Sequence, residues 1–395
     1  MSTIAFLNVP IHGRVDPTVP VVAELVRRGH SVTYHAPPAF SAEIAATGAT
    51  VFPYPESALT PSRPPVRMLD GLARAAVDLL PGVLSELRGI RPDLVVHDSA
   101  CLWGALAARE LGVPAASLFT TFAGNRYAPS PSRVSWKWLA RPHALAGLLR
   151  SRWRLRREHD TGGLPLDFAH LRQPLNLVFT PREFQPGADT FGRSFQFVGA
   201  GLGTRPPDPA FPIERLRDPV LYASLGADYD GGGRLPRVLA TALAPLGGAV
   251  VLATGTIDPA GLGPLPDNVI ARRTVPQLQV LSRAALFVTH GGMNSVNEAM
   301  AAGVPMLLIP RGADQPLVAR RVVELGAGLS ASRREADVRR VRALARRLMY
   351  EPRFLAAADG VRVAQRETGG FVAAADALET CLPPVGHGST ERARA

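Results

Sequence analysis

Short runs of consecutive apolar residues alternate with segments of helical spacing along the first half of the chain. The apolar runs predict strands at residues 3–9, 31–36, 93–97, 115–119 and 176–180. Apolar positions recurring every three or four residues predict helices at residues 17–28, 39–47, 69–87 and 102–111. Strands that are apolar throughout and separated by helices are typical of a parallel sheet covered on both faces.

The same alternation returns after a stretch rich in glycine and proline at residues 199–219, which indicates an interdomain linker. The strands predicted after it are at residues 220–224, 249–254, 268–271, 286–289 and 306–309. The helices predicted with them are at residues 235–246, 277–281, 294–302, 316–324 and 338–349. The pattern therefore predicts an α/β chain with two Rossmann-like domains in tandem, at residues 1–203 and 204–382. Residues 383–395 are small and polar, and we expect a disordered tail there.

One segment of the second domain has the pattern of an anion-binding turn. The apolar run at 284–288 ends in His290-Gly291-Gly292, and a helical stretch follows at once. Glycines without side chains let backbone N–H groups approach an anion at a helix N-terminus, where the helix dipole also favours negative charge. In open α/β sheets ligands bind beyond the carboxyl ends of the strands, so two facing domains would place a cleft between those ends. The segment therefore predicts a diphosphate-binding turn.

Composition narrows the class of protein. The 395 residues suffice for two domains with separate cores, and 46% of them are apolar. No run of eighteen apolar residues exists, and the N-terminus lacks a basic region and a cleavage site, so we expect neither a membrane span nor export, but a cytoplasmic protein. Two cysteines do not make a disulfide framework. The net charge of +11 comes mostly from arginine, and part of it reflects a general bias towards Ala, Gly, Pro and Arg.

A basic stretch departs from this composition. From Arg126 to Arg157 there are nine Lys or Arg residues and no Asp or Glu, with Trp136, Trp138 and Trp153 interleaved. The stretch fits a peripheral membrane contact, a nucleic-acid patch, the wall of an acceptor pocket, or a solvated helix pair whose tryptophans pack inward. No nucleic-acid-binding module is visible, so we expect no nucleic-acid partner.

Several motifs along the chain occur in a known order. They are Asn8-Val-Pro-Ile-His12-Gly-Arg14-Val-Asp-Pro17, Glu24-Leu-Val-Arg-Arg-Gly-His30-Ser-Val-Thr-Tyr34, Pro92-Asp-Leu-Val-Val-His-Asp98, Ser224-Leu-Gly226, Val275-Pro-Gln277 and the signature from His290 to Asp314-Gln315. Together they resemble the family 1 GT-B glycosyltransferases of the bacterial macrolide and antibiotic type, over nearly the full length of the chain. The resemblance implies two Rossmann-like domains facing across a cleft, with the acceptor bound by the first and the donor by the second. It also implies that the last helix packs back on the first domain.

The activity that this resemblance implies is inverting transfer of a sugar from UDP or dTDP to a hydroxyl of a natural product, by a single in-line displacement. A general base deprotonates the acceptor while the nucleotide diphosphate leaves. No metal or other cofactor is needed if protein groups neutralise the diphosphate. The expected acceptor is a partly apolar small molecule such as a polyketide or macrolide, since small-molecule pockets are mostly apolar. The sequence leaves monomer and homodimer equally open.

The resemblance also assigns donor residues. His290, Gly291, Gly292, Asn294 and Ser295 would lie at the diphosphate, and Ser224 would reach the distal phosphate. Glu298 would accept hydrogen bonds from the ribose, Val275 and Gln277 would contact the base, and Asp314 with Gln315 would hold the sugar. Helix capping would account for Ser224 and Ser295 nearly as well.

The chain departs from the family pattern beside the nucleobase. The family has a tryptophan before Val-Pro-Gln, where this chain has Thr274 preceded by Arg273. A guanidinium can stack on an aromatic plane, so Arg273 could replace the tryptophan.

The second departure concerns the catalytic base. The family places it in Gly-His-x-x-Pro, where this chain has Gly13-Arg14-Val15-Asp16-Pro17, and arginine cannot act as a base near neutral pH. We predict His12, oriented by Asp98, as the base, because imidazole suits proton abstraction at neutral pH. Asp98 or Asp16 acting as the base, or Arg14 binding an anionic acceptor group, are the alternatives.

Other classes of function stay open at this point. Arg14 in the base position is compatible with a non-catalytic auxiliary homologue of a glycosyltransferase, although the donor signature is nearly intact. The tryptophan-rich basic stretch is compatible with a membrane-surface enzyme that glycosylates a lipid. A sugar-nucleotide epimerase is a third alternative.

Overall fold

The computed structural model describes residues 1–55, 65–128, 142–162, 168–203, 205, 208–227 and 229–383. Internal contacts divide the chain into two compact units. The first unit comprises the described parts of Met1–Phe179, Gly187–Gly203 and Gly369–Ala395, and the second comprises those of Thr180–Pro186 and Thr204–Thr368. The chain therefore enters the second unit twice and returns to the first.

A seven-stranded parallel sheet forms the centre of the first unit, among the described residues. Its strands are β1 (Thr3–Leu7), β2 (Ser31–Ala36), β3 (Thr50–Pro53), β4 (Leu94–Asp98), β5 (Ala115–Phe119), β6 (Leu175–Val178) and β7 (Phe195–Phe197). They lie in the order β3-β2-β1-β4-β5-β6-β7. The helices are α1 (His12–Val15), α2 (Val19–Arg27), α3 (Pro38–Ala45), α4 (Pro65–Ile90), α5 (Leu102–Leu111) and α6 (Pro142–Glu158).

The five strands inside this sheet, β2, β1, β4, β5 and β6, are largely buried on both faces, as their apolar sequences predict. Successive side chains of β1 point to opposite faces. Leu7 belongs to the core cluster that includes residues of α4 and α5. Phe6 belongs to the cluster that includes residues of α2.

The second unit repeats this architecture with six parallel strands among the described residues. They are β8 (Val220–Ser224), β9 (Ala249–Ala253), β10 (Val269–Arg272), β11 (Ala284–Thr289), β12 (Met306–Leu308) and β13 (Gly328–Ser330). The order is β10-β9-β8-β11-β12-β13. The helices are α7 (Arg234–Leu243), α8 (Gln277–Leu281), α9 (Met293–Ala302), α10 (Gln315–Glu324), α11 (Val338–Tyr350) and α12 (Pro352–Glu367). The prediction of two Rossmann-like sheets is confirmed.

The last helix, α13 (Gly370–Glu379), lies in the first unit, where it packs on α2 and β6. The predicted tail lies outside the described residues from residue 384 onward. No helix in the described parts of the chain is both long enough and apolar enough to cross a membrane.

The basic stretch is described only in part. Trp136 and Trp138 lie outside the described residues. Of the alternatives for this stretch, inward packing of the tryptophans does not hold for Trp153, which is 57% exposed on α6 with the guanidinium of Arg157 over its ring. The inner face of α6 is occupied by smaller residues such as Leu148 and Leu155, which pack in the core that includes α4.

In each sheet the strand order reverses beside the first strand. These switch points lie between β1 and β4 in the first unit and between β8 and β11 in the second. Connections leave such neighbouring strands in opposite directions, which opens a crevice at their carboxyl ends. The predicted site residues should therefore gather at these two places.

Candidate functional site

The switch point of the second unit brings two predicted donor residues together. Ser224 ends β8 and pairs with Thr289, the last residue of β11, so that Ser224 and His290 leave adjacent strands side by side. No helix begins at Ser224 among the described residues, since α7 starts at Arg234. Helix capping therefore does not account for Ser224.

The imidazole of His290 lies between two backbone segments. A Cβ added to Gly292 would stand 2.5 Å from Nε2 of His290, and one added to Gly226 would stand 3.2 Å from Cε1. Gly226 also has φ +99°, in the left-handed region that favours glycine. A side chain at Gly292 would therefore force the ring to move, and one at Gly226 would be both tight and strained by the backbone conformation.

The turn after β11 leads directly into α9. Gly291 has φ +85°, and Gly292 is the N-cap of α9, without a side-chain capping bond among the residues that the structure describes. Asn294 and Ser295 lie in the first turn and are partly exposed. Ser295 is therefore not a cap. Its Oγ accepts a 3.3 Å hydrogen bond from Nε2 of Gln277. The first-turn N–H groups of α9 form the kind of terminus that binds anions.

Glu298 is the centre of a hydrogen-bond network. It is 3% exposed, and its Oε2 accepts a 2.5 Å bond from Nε2 of Gln277 while its Oε1 pairs with Nη2 of Arg205 at 3.0 Å. The hydroxyl of Tyr222 donates to Oε1 of Gln277 at 2.8 Å, which fixes the orientation of that amide. Arg205 and Tyr222 were not predicted. Tyr222 resembles any buried strand residue in sequence, and Arg205 lies in the linker.

The other predicted donor residues surround this network less closely. Arg273 is exposed and pairs with Asp258 at 3.3 Å, while Val275 is partly exposed just before α8. Asp314 is the N-cap of α10. The side chain of Gln315 is buried, and its Oε1 accepts hydrogen bonds from the backbone N–H groups of residues 311 and 312. The side chain of Gln315 thus stabilises the loop between β12 and α10.

The switch point of the first unit holds the base candidates, and here the structure corrects the prediction. Asp98 does not orient His12. Its buried carboxylate pairs through Oδ2 with Nη1 of Arg14 at 3.0 Å, and its Oδ1 accepts from the N–H of Ala100 at 2.8 Å. The physical reason is that the long side chain of Arg14 reaches from α1 to the end of β4.

His12 instead has a carboxylate partner on its own helical turn. Its Nδ1 lies 3.3 Å from Oδ1 of Asp16, four residues later, and its ring packs edge-on against Phe40 at a centroid distance of 4.7 Å. The side chain of His12 is 65% exposed. His12 and Arg14 therefore extend to different sides of β1, with His12 towards α3 and Arg14 towards β4.

A second histidine lies near Arg14. His170 stacks on Phe119, the last residue of β5, with ring centroids 6.2 Å apart and an interplanar angle of 15°. Burial, with the charges of Arg14 and Arg172, lowers the pKa of His170 to about 4. His170 is therefore neutral at physiological pH. No motif or periodic pattern in the sequence marks His170 as a site residue.

Comparison with known proteins now identifies the chain. Residues 237–390 match the model of the erythromycin biosynthesis protein CIII-like C-terminal domain. The NDP-glycosyltransferase YjiC of Bacillus subtilis (strain 168) is 31% identical over 389 residues, covering 96% of this chain and 97% of that protein. The oleandomycin glycosyltransferase of Streptomyces antibioticus is 32% identical, covering 96% and 91% respectively. The chain belongs to the family 1 natural-product glycosyltransferases.

Solved structures agree with this assignment. The calicheamicin glycosyltransferase CalG4 superposes with a TM-score of 0.80 at 32% identity, covering 98% of this chain and 99% of that one. The glycosyltransferase of kitacinnamycin superposes with a TM-score of 0.82 at 31% identity. The predicted GT-B fold and glycosyltransferase activity are confirmed.

Proposed function

We propose that this glycosyltransferase transfers a sugar, with inversion, from a UDP- or dTDP-sugar to a hydroxyl of a partly apolar natural product. The observation that carries the donor half is the position of His290 beside the uncapped start of α9, with Ser224 on the adjacent strand. Such a turn offers backbone N–H groups, a ring N–H and a helix dipole to one diphosphate. Relatives named for oleandomycin and demethyllactenocin support a natural-product acceptor.

The donor residues take roles that fit their surroundings. His290, Gly291, Gly292, Asn294 and Ser295 bind the diphosphate, with Ser224 at its distal end. Glu298 accepts hydrogen bonds from the ribose hydroxyls once the nucleotide displaces Arg205 from Oε1. Val275, Gln277 and Arg273 lie at the base, and Asp314 with Gln315 at the sugar. Because the Oε1 of Gln315 is engaged by backbone, its amide N–H₂ is the group that contacts the sugar.

The acceptor residues belong to the first unit. His12 is the general base, with Asp16 rather than Asp98 as the carboxylate that orients it. Arg14, held by Asp98, binds the acceptor. The reaction requires no metal, since the donor-side groups neutralise the leaving diphosphate. We place the enzyme in the cytoplasm, where nucleotide sugars are made, and a peripheral membrane contact through α6 is not needed for the reaction.

A nucleotide panel tests the donor half of the proposal. Thermal shift and calorimetry with UDP, dTDP and GDP, each with and without EDTA, should give selective stabilisation by UDP or dTDP that EDTA does not abolish. Glu298→Gln should weaken nucleotide binding by about 10-fold or more, because hydrogen bonds to charged groups contribute about 1.5–3 kcal/mol.

The matched control is Glu324→Gln on α10, a carboxylate of the same unit that is ion-paired with Arg320 and Arg321. That variant should bind nucleotide like the wild type. Absence of binding to every nucleotide would refute the proposed function and favour the auxiliary-homologue alternative.

A further inference from the structure

The side chain of Arg14 is held in one position by two neighbours at the end of β4, Asp98 and Ser99. Its Nη1 donates to Oδ2 of Asp98 at 3.0 Å and lies 3.4 Å from Oγ of Ser99. Asp98 is itself fixed, because its other oxygen accepts from the N–H of Ala100. A guanidinium anchored through one nitrogen keeps its orientation while the rest of its donors remain available.

The remaining donors of Arg14 share one edge. Its Nε and Nη2 make no hydrogen bond to any residue that the structure describes, and the side chain is 18% exposed. These two nitrogens form the edge of guanidinium that binds both oxygens of one carboxylate. In this same protein Arg27 uses that edge on Glu24, with Nε at 2.7 Å and Nη2 at 2.6 Å from the two oxygens.

The surroundings add positive rather than negative potential. The charge of Arg14 is offset by Asp98, but Arg172 contributes a second positive charge near His170, and its Nη2 donates to the carbonyl of Gly124 at 2.7 Å. The lowered pKa of His170 reports the combined field of both arginines, after the effect of burial. A singly charged anion would therefore be attracted to Arg14 at the carboxyl ends of the strands of the first sheet.

We propose that Arg14 binds a carboxylate of the acceptor through its Nε–Nη2 edge, so that the natural substrate is an acidic natural product. This inference rests on the proposed function and names its substrate class. A carboxylate fits better than a phosphate, because the site offers one two-donor edge and a net charge of about one, whereas phosphate presents three oxygens and nearly two charges. The carboxylate lies on the β4 side of β1, and the hydroxyl to be glycosylated is taken to His12 on the β2 side.

The experiment follows the imidazole signals of His170 by NMR in the full-length protein, with the His170→Asn variant used for assignment. Benzoate is the probe, and benzamide is its uncharged counterpart. The spectra are recorded at neutral pH, where benzoate is ionised, and its binding should shift the imidazole signal of His170, because a negative charge beside Arg14 changes the field at the ring. Benzamide should leave it unchanged.

Two variants attribute the effect to the Nε–Nη2 edge. Arg14→Gln should weaken benzoate binding by about 10-fold or more, as expected for the loss of a charge-assisted two-point contact. Because it leaves Asp98 buried without its cation, Arg14→Lys serves as the second variant. It keeps the charge beside Asp98 but lacks the planar edge, so it should also bind benzoate more weakly than the wild type.

Arg109→Gln is the matched control. Arg109 pairs with Asp160 at 3.0 Å in the last turn of α5, which leads back to the amino end of β5, away from the carboxyl ends of the strands where Arg14 lies. The Arg109→Gln variant should bind benzoate like the wild type.

Four outcomes would each overturn the proposal. They are an unchanged His170 signal with benzoate, an equal response to benzamide, a response to inorganic phosphate alone, and full benzoate binding in Arg14→Lys. Nucleotide binding by the second unit is measured in parallel, so failure of this inference is distinguishable from failure of the proposed function.

Discussion

At the scale of single residues, the arginine at position 14 decides which side chains pair with Asp98 and with His12. An arginine at position 14 reaches Asp98 and takes up its carboxylate. His12, two residues earlier, projects to the other side and finds Asp16 one helical turn away. A histidine–carboxylate pair and an arginine–carboxylate pair thus lie on the same short helix, α1 with the turn after it. The first pair suits proton abstraction and the second suits anchoring of an anion.

His12→Ala should lower turnover by about 10² or more with an ordinary hydroxyl acceptor, because a positioned base contributes at least that factor. Asp16→Asn should lower it by a smaller factor, since it leaves the imidazole but removes its orienting partner. An acceptor that is already ionised at the assay pH, such as a nitrophenolate, needs no base and should be glycosylated by His12→Ala nearly as well as by the wild type. The measurement is kcat with both acceptors at saturating donor.

Asp98→Asn distinguishes this arrangement from the one predicted from sequence. If Asp98 oriented the base, its loss would reduce turnover as Asp16→Asn does, and the nitrophenolate would restore it. We expect a rise in acceptor KM instead, because Arg14 loses its anchor. Equal kcat values for His12→Ala and the wild type with the hydroxyl acceptor would remove His12 from the role of base.

At the scale of elements, the strands with a clear apolar run can be predicted from the sequence, and the shortest edge strands cannot. Every strand predicted from an apolar run is present, including β10 at an edge of the second sheet, because the strands of a parallel sheet are largely buried. The missed strands β3, β7 and β13 are short and lie at sheet edges, where one side is not covered by a neighbouring strand. Each of these three strands has only three or four residues and no long apolar run, so its sequence carries little periodic pattern.

The candidate site was predictable to the same degree as its elements. The turn from β11 to α9 was located from its glycines and its flanking periodicity. The partners of Asp98 and Glu298 could not be predicted, because an ion pair between residues 14 and 98, or between 205 and 298, depends on the tertiary structure. The sequence shows which residue types follow each strand. The length and direction of the side chains decide which of these residues form contacts.

The β11–α9 turn yields a prediction at this scale. Gly292→Ala places a Cβ 2.5 Å from Nε2 of His290, so the imidazole must move. Nucleotide affinity should fall about as far as in His290→Ala, and the double variant should lose little more, because both changes remove the same contact. Calorimetry with the preferred nucleotide measures the three affinities.

Gly261→Ala is the control for this series, since its Cβ would meet nothing within 4 Å in the same unit. It should bind nucleotide normally. Additive losses in the double variant would mean that Gly292 and His290 act independently, and that the ring is not positioned by the close approach.

At the scale of the whole molecule, the chain leaves the first unit, builds the second and returns as α13. A charged cluster joins α13 to the end of α2 and to the turn that leads into β2. Arg28 pairs with Glu24 at 2.8 Å and with Asp376 and Glu379 at 2.7 Å, and Nε2 of His30 lies 2.9 Å from Glu379. Apolar residues of α13, among them Ala374 and Leu378, are buried in the same core as α2. The first unit is therefore incomplete until the second has been synthesised.

Glu379→Gln should destabilise the first unit in a pH-dependent way. Hydrogen bonds from His30 and Arg28 hold the pKa of Glu379 below its ordinary value. A carboxylate with a depressed folded-state pKa adds stability above its unfolded pKa, and that stability is lost as pH falls through the folded-state pKa. Because Glu379 is about one-third exposed, the loss near neutral pH should be about 1 kcal/mol or less. Urea unfolding of the wild type and the variant at neutral and acidic pH measures the difference in the free energy of unfolding, which should shrink in acid.

Glu158→Gln is the control, at the exposed end of α6 in the same unit, and it should change stability little at either pH. A difference between Glu379→Gln and the wild type that persists undiminished in acid would show that packing of α13, rather than the charge of Glu379, fixes the returning helix.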